Sequence, residues 1–468
     1  MTSAPQDPRP EPSATGPAAP AGDLPFRGHL RAAFLLGLPL AGSHVAQLSL
    51  NLVDALMLGW YDVEALAAEV LGGTVYMVLL IMGSGFAWAL MPMIAAAEAE
   101  GDTTQVRRVT RMGLWLSIAF ALLTVPIVLS GHAIFAALGQ PAQVAALAGD
   151  YLSIHGLGIL PALGVMVLKS YLSALERARV VLVVTLMALP LNALLNHMLI
   201  FGHWGAPELG VRGAAIASLA VTVASLALLV AYSLRALPEH ALFARFWRPD
   251  PEALGRVFRL GWPIGLTSLA EVGLFAASSV MMGWIGAIPL AAHGIALQIT
   301  SLTFMVHVGM SNAATIRAGN AYARRDRTSL RQGALAAMAL SGLGVLATVV
   351  VFLTAGAPLV GLFVDPGDPA REAVIAAGRV FLAAAALFQL ADAGQVLALG
   401  VLRGVQDTRV PMVIAAFSYW ALGVPASYLL AFHTPIGGVG IWIGMALGLA
   451  CAGSLLMLRF WRGVARRP

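Results

Sequence analysis

Residues 36–60, LGLPLAGSHVAQLSLNLVDALMLGW, are apolar over a length that can cross a lipid bilayer, because a membrane-spanning helix needs about 20 apolar residues. Four polar side chains interrupt the stretch at spacings of three, four and three, which place them on one face of a helix: His44, Gln47, Asn51 and Asp54. A charged side chain in a membrane helix is costly and usually faces a water-filled cavity or a partner. The stretch therefore predicts a membrane helix whose polar face has a function.

Similar apolar stretches recur along the chain, which predicts an all-α polytopic membrane protein. Of the 468 residues, 59% are hydrophobic and 11% are charged, whereas about a quarter of a soluble domain is charged. The stretches are too many and too long to be a signal peptide. They predict twelve transmembrane helices, at residues 31–59, 67–96, 107–130, 144–174, 180–202, 210–235, 253–285, 289–321, 329–355, 371–402, 409–432 and 437–461.

Basic side chains gather in alternate predicted loops, which indicates how the chain is oriented. Arginines follow the second, fourth, sixth and eighth helices and the last one: Arg107, Arg108, Arg111, Arg177, Arg179, Arg245, Arg248, Arg324, Arg325, Arg327, Arg459, Arg462, Arg466 and Arg467. Basic loops favour the cytoplasmic side of a membrane. Both termini are therefore predicted to be cytoplasmic, which agrees with the even number of helices.

The frame of the opening stretch returns at residues 260–284, an offset of 224 positions (261 minus 37). LAAE at 66–69 matches LAAH at 290–293 at the same offset, and residues 151–180 align with 381–410 at an offset of 230. Two halves of six helices enter the membrane from the same side, so they form a parallel repeat with its axis along the membrane normal. The prediction is two pseudo-symmetric six-helix lobes, arranged as a disordered tail (1–25), an N-lobe (26–236), a cytoplasmic link (237–252) and a C-lobe (253–468).

Three carboxylates lie well inside predicted helices: Asp54, Glu271 and Asp392. Each could exchange protons, hold Na⁺ together with carbonyl and amide oxygens, or serve packing alone. Asn192 and Asn196 lie four residues apart on one helix face and are predicted partners of Asp54. Glu271 and Asp392 are predicted to pair in the second half, where Na⁺ is an alternative to H⁺.

Other polar residues are expected to support the carboxylates: His44, Gln47 and Asn51 in the first half, Gln298 and Gln389 in the second. The acids are not repeated between the halves. The position of Asp54 is occupied by Ser278 in the second half, and the position of Glu271 is occupied by Gln47 in the first. The two halves are therefore expected to do different ionic work.

Several functional classes lack the residues that they need. The chain contains no Walker motif, which argues against ATP-driven transport and favours an ion gradient. Its single cysteine, Cys451, allows neither a disulfide framework nor a cysteine-based metal site, and no resident metal or cofactor is expected. The net charge of +5 follows from the basic loops and predicts no nucleic-acid partner.

Several motifs resemble those of the multidrug and toxic compound extrusion (MATE) family, in particular its NorM-like bacterial branch. They are LNLVDALMLGW with LAAE, AEVGLFA with LAAHGIALQITSLTFM, IRAGNAYARRD, DAGQVLALGVLRGVQDTRVP and FSYWALGVP, and the resemblance extends over about residues 30–460. It implies a monomeric, multi-pass protein of the bacterial inner membrane, with two lobes around a V-shaped cavity. Members exchange H⁺ or Na⁺ for lipophilic, often cationic drugs or dyes.

The resemblance also implies site residues. The family's first-helix aspartate falls on Asp54, its seventh-helix glutamate on Glu271 and its tenth-helix aspartate on Asp392; its fifth-helix asparagines fall on Asn192 and Asn196. Na⁺-linked relatives have a tyrosine one turn before the tenth-helix aspartate, where this chain has Phe388, which offers no oxygen. H⁺ is therefore favoured as the coupling ion, and Na⁺ stays open.

Three alternatives remain. A lipid-linked saccharide flippase of the same superfamily architecture would need a cavity lined by Arg and Lys for pyrophosphate. A membrane-embedded enzyme would need a nucleophile or metal cluster, which the sequence does not indicate. A channel fits less well than alternating access, because the chain is a two-lobe repeat with prolines inside its helices.

Overall fold

The computed structural model describes residues 24–463 and residue 465, and the described chain is almost entirely helical. Twelve of its helices are long and apolar enough to cross a membrane, which confirms the predicted fold class. They are α1 (Phe26–Tyr61), α2 (Val63–Ala99), α3 (Thr103–Leu129), α4 (Ala142–Ala174), α5 (Ala178–Phe201), α6 (Val211–Ala236), α7 (Pro251–Ile285), α8 (Ala287–Ala323), α9 (Arg327–Gly361), α10 (Arg371–Gly404), α11 (Arg409–Phe432) and α12 (Gly438–Arg462). Residues 1–23 of the predicted tail and Arg466 and Arg467 lie outside the described residues.

Aspartates begin four of these helices. The side chains of Asp62, Asp102, Asp250 and Asp326 each accept a hydrogen bond from the backbone N–H three residues later, at 2.9–3.1 Å. This is the usual way in which an N-cap satisfies an unpaired amide at a helix start. The repeat-related acids Asp102 and Asp326 therefore match because both begin the third helix of their half.

Two helices depart from regular α geometry near buried polar groups. Helix α4 passes through a short 3₁₀ segment at Gly156–Gly158, directly after His155. Helix α11 contains a π-helical segment at Phe417–Gly423, and Tyr419 within it is fully buried. Such segments are often found at functional sites because they turn side chains away from the regular register.

The two halves meet where α1 crosses α8 and where α2 crosses α7. A Cβ at Gly309 would lie 2.4 Å from the Ala41 nitrogen, and a Cβ at Gly85 would lie 2.5 Å from the Gly265 nitrogen. The repeat relates the two contacts. Gly309 corresponds to Gly85 and Gly265 corresponds to Ala41, each at an offset of 224 positions (309 minus 85 and 265 minus 41). Small residues at repeated positions thus let the backbones of helices from different halves approach closely.

The segment that joins the halves, residues 237–252, lies against α3. Arg111 and Trp115 donate hydrogen bonds to its backbone carbonyls at 3.0 and 2.9 Å, and Arg108 donates to Asp250 at 2.5 Å. The three donors stand on one helix face at spacings of three and four. The arginines that the sequence analysis used to predict orientation therefore also fasten the link to the first half.

Candidate functional site

Asp54 is the centre of a buried hydrogen-bond network between three helices. Its Oδ1 accepts from Asn192 Nδ2 at 2.9 Å and from Asn196 Nδ2 at 2.6 Å, both on α5. Its Oδ2 accepts from Ser218 Oγ on α6 at 2.6 Å. Asp54 is 7% exposed and Asn196 is fully buried, so these bonds are shielded from solvent. The structure thus brings together the three residues that the sequence analysis grouped and adds Ser218.

This arrangement suits an ionised carboxylate, because all three partners donate to it. Asn196 Oδ1 is buried without a hydrogen-bond partner among the described residues. A carboxamide carries a donor and an acceptor at one end, so rotating it would turn an oxygen toward Asp54. The network can therefore satisfy Asp54 in its ionised form and also has an oxygen for a bound proton or cation.

The network lies nearer one end of the helices than the middle. Asp54 is seven residues before the end of α1, Asn196 five before the end of α5 and Ser218 seven after the start of α6. At 1.5 Å per residue these positions lie about 8–11 Å from the helix ends. All three helix ends belong to the side of the membrane that the loop charges predict to be extracytoplasmic.

The other members of the first-helix stripe contact different helices. His44 Nε2 lies 3.0 Å from Asn312 Nδ2 on α8, and Gln47 Oε1 accepts from Lys169 Nζ on α4 at 3.2 Å. Asn51 is exposed. Positions 44 and 54 are about 15 Å apart along a helix, so residues on one face still meet different neighbours. The structure does not bring His44, Gln47 or Asn51 into the Asp54 network.

In the second half, Glu271 on α7 and Asp392 on α10 interact electrostatically. Glu271 Oε1 and Asp392 Oδ1 are both buried without a hydrogen-bond partner among the described residues. Unsatisfied buried oxygens are costly, so these two atoms are available to bind a proton or a cation.

Aromatic side chains form the surroundings of this pair. Phe388 is 1% exposed, and its ring centroid lies 6.0 Å from that of Phe275 and 5.6 Å from that of Trp442. The two amides predicted to help are placed elsewhere: Gln389 donates to Thr300 O and to Thr303 Oγ1 on α8, and Gln298 is exposed. Among the described residues, no three His, Cys, Asp or Glu side chains are grouped so that they could hold a metal ion.

Arg403 is a half-buried charge that the sequence analysis did not select. It lies on α10, interacts electrostatically with Glu271, and stands 5.7 Å above the Trp88 ring of α2 in the other half. An arginine late in a membrane helix was its only sequence signal. Ser218 had none, because a single serine in a membrane helix is common and no spacing relates α6 to α1.

The twelve helices, their repeated six-helix frame and the buried acids in both halves define a polytopic membrane transporter. The family model named MatE matches residues 39–198 and 263–429, more than half of the chain. The chain therefore belongs to the MatE family, as its motifs led us to expect.

Named relatives cover nearly the whole chain. A probable multidrug resistance protein NorM from Rhizobium meliloti is 45% identical over 94% of each chain. A protein of the same description from Agrobacterium fabrum is 41% identical over 96% of this chain and 97% of its own.

Solved structures share the fold. A crystal structure of MATE in the straight conformation has a TM-score of 0.83 at 22% identity and covers 94% of this chain and 97% of its own. The eukaryotic MATE transporter AtDTX14 has a TM-score of 0.80 at 20% identity, with coverages of 94% and 98%.

Proposed function

We propose that this protein exports lipophilic, often cationic compounds across the bacterial inner membrane in exchange for H⁺. Its relatives are described as multidrug resistance proteins, and they align over more than nine-tenths of the chain. The observation that carries the proposal is the Asp54 network, because a carboxylate buried among three donors from two other helices can link its charge to helix packing.

Protonation of Asp54 changes what its neighbours can do. A neutral carboxyl group is a weaker acceptor than a carboxylate, so it holds the amides of Asn192 and Asn196 and the hydroxyl of Ser218 less strongly. The tie between α1 and the helices α5 and α6 then weakens, and Pro39 gives α1 a place to bend. Export follows if the protonated and drug-bound forms prefer different states of the protein, since a ligand drives a transition only by differential affinity.

Two features favour H⁺ over Na⁺ in the second half. Phe388 offers no oxygen ligand, and the positive charge of Arg403 near Glu271 disfavours a second fixed cation. The unsatisfied oxygens of Glu271 and Asp392 can each accept a proton. Na⁺ at this pair is the alternative coupling mode.

We further propose that residues 26–236 and 253–468 act as the two moving lobes, joined by the cytoplasmic link 237–252 in a monomer with both termini in the cytoplasm. The support is the repeat, the alternation of basic loops and the close crossings of α1 with α8 and α2 with α7.

No finding favours the lipid-linked saccharide flippase. Two basic groups inside the helices are already engaged: Lys169 donates a hydrogen bond to Gln47, and Arg403 interacts electrostatically with Glu271.

The proposal is tested by efflux of a lipophilic cationic dye from proteoliposomes, with a pH gradient and a Na⁺ gradient imposed separately. We expect uphill dye movement with the pH gradient and little with Na⁺ alone. Protein-free liposomes provide the control for leakage. If neither gradient drives dye movement, the antiport proposal is wrong, and if only Na⁺ does, the ion is wrong.

A further inference from the structure

Glu69 is a membrane carboxylate that the proposed mechanism does not use. It lies on α2 and shares a helix face with Gly72, Gly73 and Tyr76, which follow at three, four and seven residues. A Cβ at Gly72 would lie 2.7 Å from Cδ1 of Tyr151 on α4. This face of α2 therefore packs directly against α4, and Glu69 is placed at that contact.

Tyr151 connects Glu69 with the Asp54 network. Its phenol, on a side chain that is 2% exposed, interacts electrostatically with both Glu69 and Asp54. Glu69 itself interacts with Asp54. The charges of the two carboxylates therefore influence each other, and both influence Tyr151.

The rings of His155 and Tyr76 extend the cluster beyond Tyr151. His155 lies 5.1 Å from Tyr151 in a stacked arrangement and 4.0 Å from Tyr76, measured between ring centroids. Its Nδ1 is buried without a hydrogen-bond partner among the described residues. An imidazole with an unused nitrogen and two phenols are groups that can pass a proton along.

The depth of Glu69 also matches that of Asp54. Glu69 is six residues after the start of α2, and Asp54 is seven before the end of α1. Because Asp62 alone joins these two helices, both acids lie about 9–11 Å from the same end of the bundle.

The repeat provides an independent argument. Asp54 corresponds to Ser278 and Glu69 to His293, since both pairs are separated by 224 positions. In the second half these equivalents lie in direct contact, with Ser278 Oγ 3.3 Å from His293 Nε2. The same two positions thus contact each other in the second half and interact electrostatically in the first, where each position has an acid.

We propose that Glu69 is a second proton-coupling carboxylate of the first half, which takes up and releases H⁺ together with Asp54 across Tyr151. The inference rests on the proposed antiport. Neighbouring acids titrate as a coupled pair, so a bound cationic drug would displace protons from both. One transport cycle of the first half would then exchange two protons rather than one.

Other charges near the cluster are already engaged. Arg212 at the start of α6 donates to Asp150 Oδ2 at 2.8 Å, and His132 lies 3.3 Å from the other oxygen of the same carboxylate. The groups that interact electrostatically with Glu69 are therefore Asp54 from α1 and Tyr151 from α4. His155 of α4 stacks on Tyr151, and Tyr76 of the helix that carries Glu69 contacts His155.

The test counts protons released when the cationic dye binds to purified protein in weakly buffered detergent. We expect Glu69→Gln to lower the number released per bound dye by about half, as Asp54→Asn does, while the double variant releases almost none. Glu64→Gln is the matched control, because Glu64 is an exposed acid in the first turn of the same helix. A structural role for Glu69 would alter dye affinity or stability but not this ratio.

A labelling experiment covers the case in which Glu69→Gln does not fold. In the wild-type protein, dicyclohexylcarbodiimide should modify Glu69 as a protonated acid in an apolar site, and the dye should protect it. Unmodified Glu69, or Glu69→Gln with the wild-type proton ratio, would overturn the inference while leaving antiport intact. If the wild-type protein releases no proton and shows no pH-driven efflux, antiport itself fails and the inference fails with it.

Discussion

Asp54 accepts its hydrogen bonds from two helices other than its own, so one side chain joins three helices. The sequence could suggest Asn192 and Asn196 because their spacing of four places both on one helix face, and because the family resemblance pairs this face with Asp54. It could not suggest Ser218, since nothing in a sequence tells which serine of α6 faces α1. The functional roles of Glu271 and Asp392 also stay predictions, although the two carboxylates interact electrostatically.

Replacing Ser218 with Ala is expected to weaken the network. The substitution removes the hydroxyl that donates to Asp54 Oδ2 at 2.6 Å and leaves a buried oxygen unsatisfied. We expect the free energy of unfolding to fall by about 1–3 kcal/mol and pH-driven dye efflux to slow. Thermal unfolding in detergent and initial efflux rates measure the two effects.

Ser218→Thr is the control for this variant, because threonine keeps the hydroxyl in a site that is 8% exposed. It should retain more stability and transport than Ser218→Ala. Equal behaviour of the alanine variant and the wild-type protein would show that this hydrogen bond does not matter.

At the scale of helices, the two crossings between the halves explain why the repeat kept its glycines. Gly309 faces Ala41 and Gly85 faces Gly265 at distances that leave no room for a methyl group. Positions 41 and 265 lie within the repeated stretches 36–60 and 260–284, which by themselves do not reveal the contacts that require small residues. Close packing through small residues is a general way in which membrane helices associate.

Gly309→Ala is expected to destabilise the protein although alanine is the better helix former. Helix propensity favours the change by about 1 kcal/mol, whereas overpacking costs about 1–3 kcal/mol or more, and the contact here is with backbone. Gly294 on the same helix has no neighbouring atom within 4 Å, so Gly294→Ala lacks the clash. In thermal unfolding, Gly309→Ala should lower the melting temperature and Gly294→Ala should raise it. Similar shifts in the two variants would show that the close contact at Gly309 does not limit stability.

The contact between α3 and the link has a predictable pH dependence. The hydrogen bonds from the Arg108 guanidinium to Asp250 hold the pKa of this carboxyl below its usual value. Because the folded-state pKa is lowered, the stabilisation is fully present above the unfolded value of about 3.9 and is lost as pH falls through the folded value. Asp250→Asn should therefore be less stable than the wild-type protein by about 1–2 kcal/mol at pH 7.

The difference between Asp250→Asn and the wild-type protein should disappear as the pH falls below about 4, in unfolding curves recorded between pH 7 and the lowest pH that the wild-type protein tolerates. Asparagine still caps α7 at this position, so only the charge is removed. Glu252→Gln is the control, since Glu252 is 71% exposed and pairs with the same arginine. A constant difference at all pH values would show that charge is not the cause.

At the scale of the whole molecule, twelve helices were predictable because uninterrupted apolar length decides membrane insertion almost alone. The predicted and observed spans differ mainly at their ends, where caps such as Asp62 and Asp102 begin helices earlier than hydropathy indicates. The contacts between helices were harder to predict. The cation–π contact of Arg403 with Trp88 joins helices that are far apart in the chain, and no local pattern encodes it.

In the proposed mechanism the charge of Asp54 couples an ion gradient to export. Dye efflux from proteoliposomes under an imposed pH gradient tests this role, by comparing the wild-type protein with Asp54→Asn and with Asp62→Asn. Asp62 is an exposed helix cap at the same end of α1, and asparagine can still act as a cap there.

We predict that the wild-type protein and Asp62→Asn move dye uphill, whereas Asp54→Asn binds dye but responds far less to the gradient, because at most Glu69 is left to exchange protons in the first half. Full gradient-driven efflux by Asp54→Asn would contradict the account.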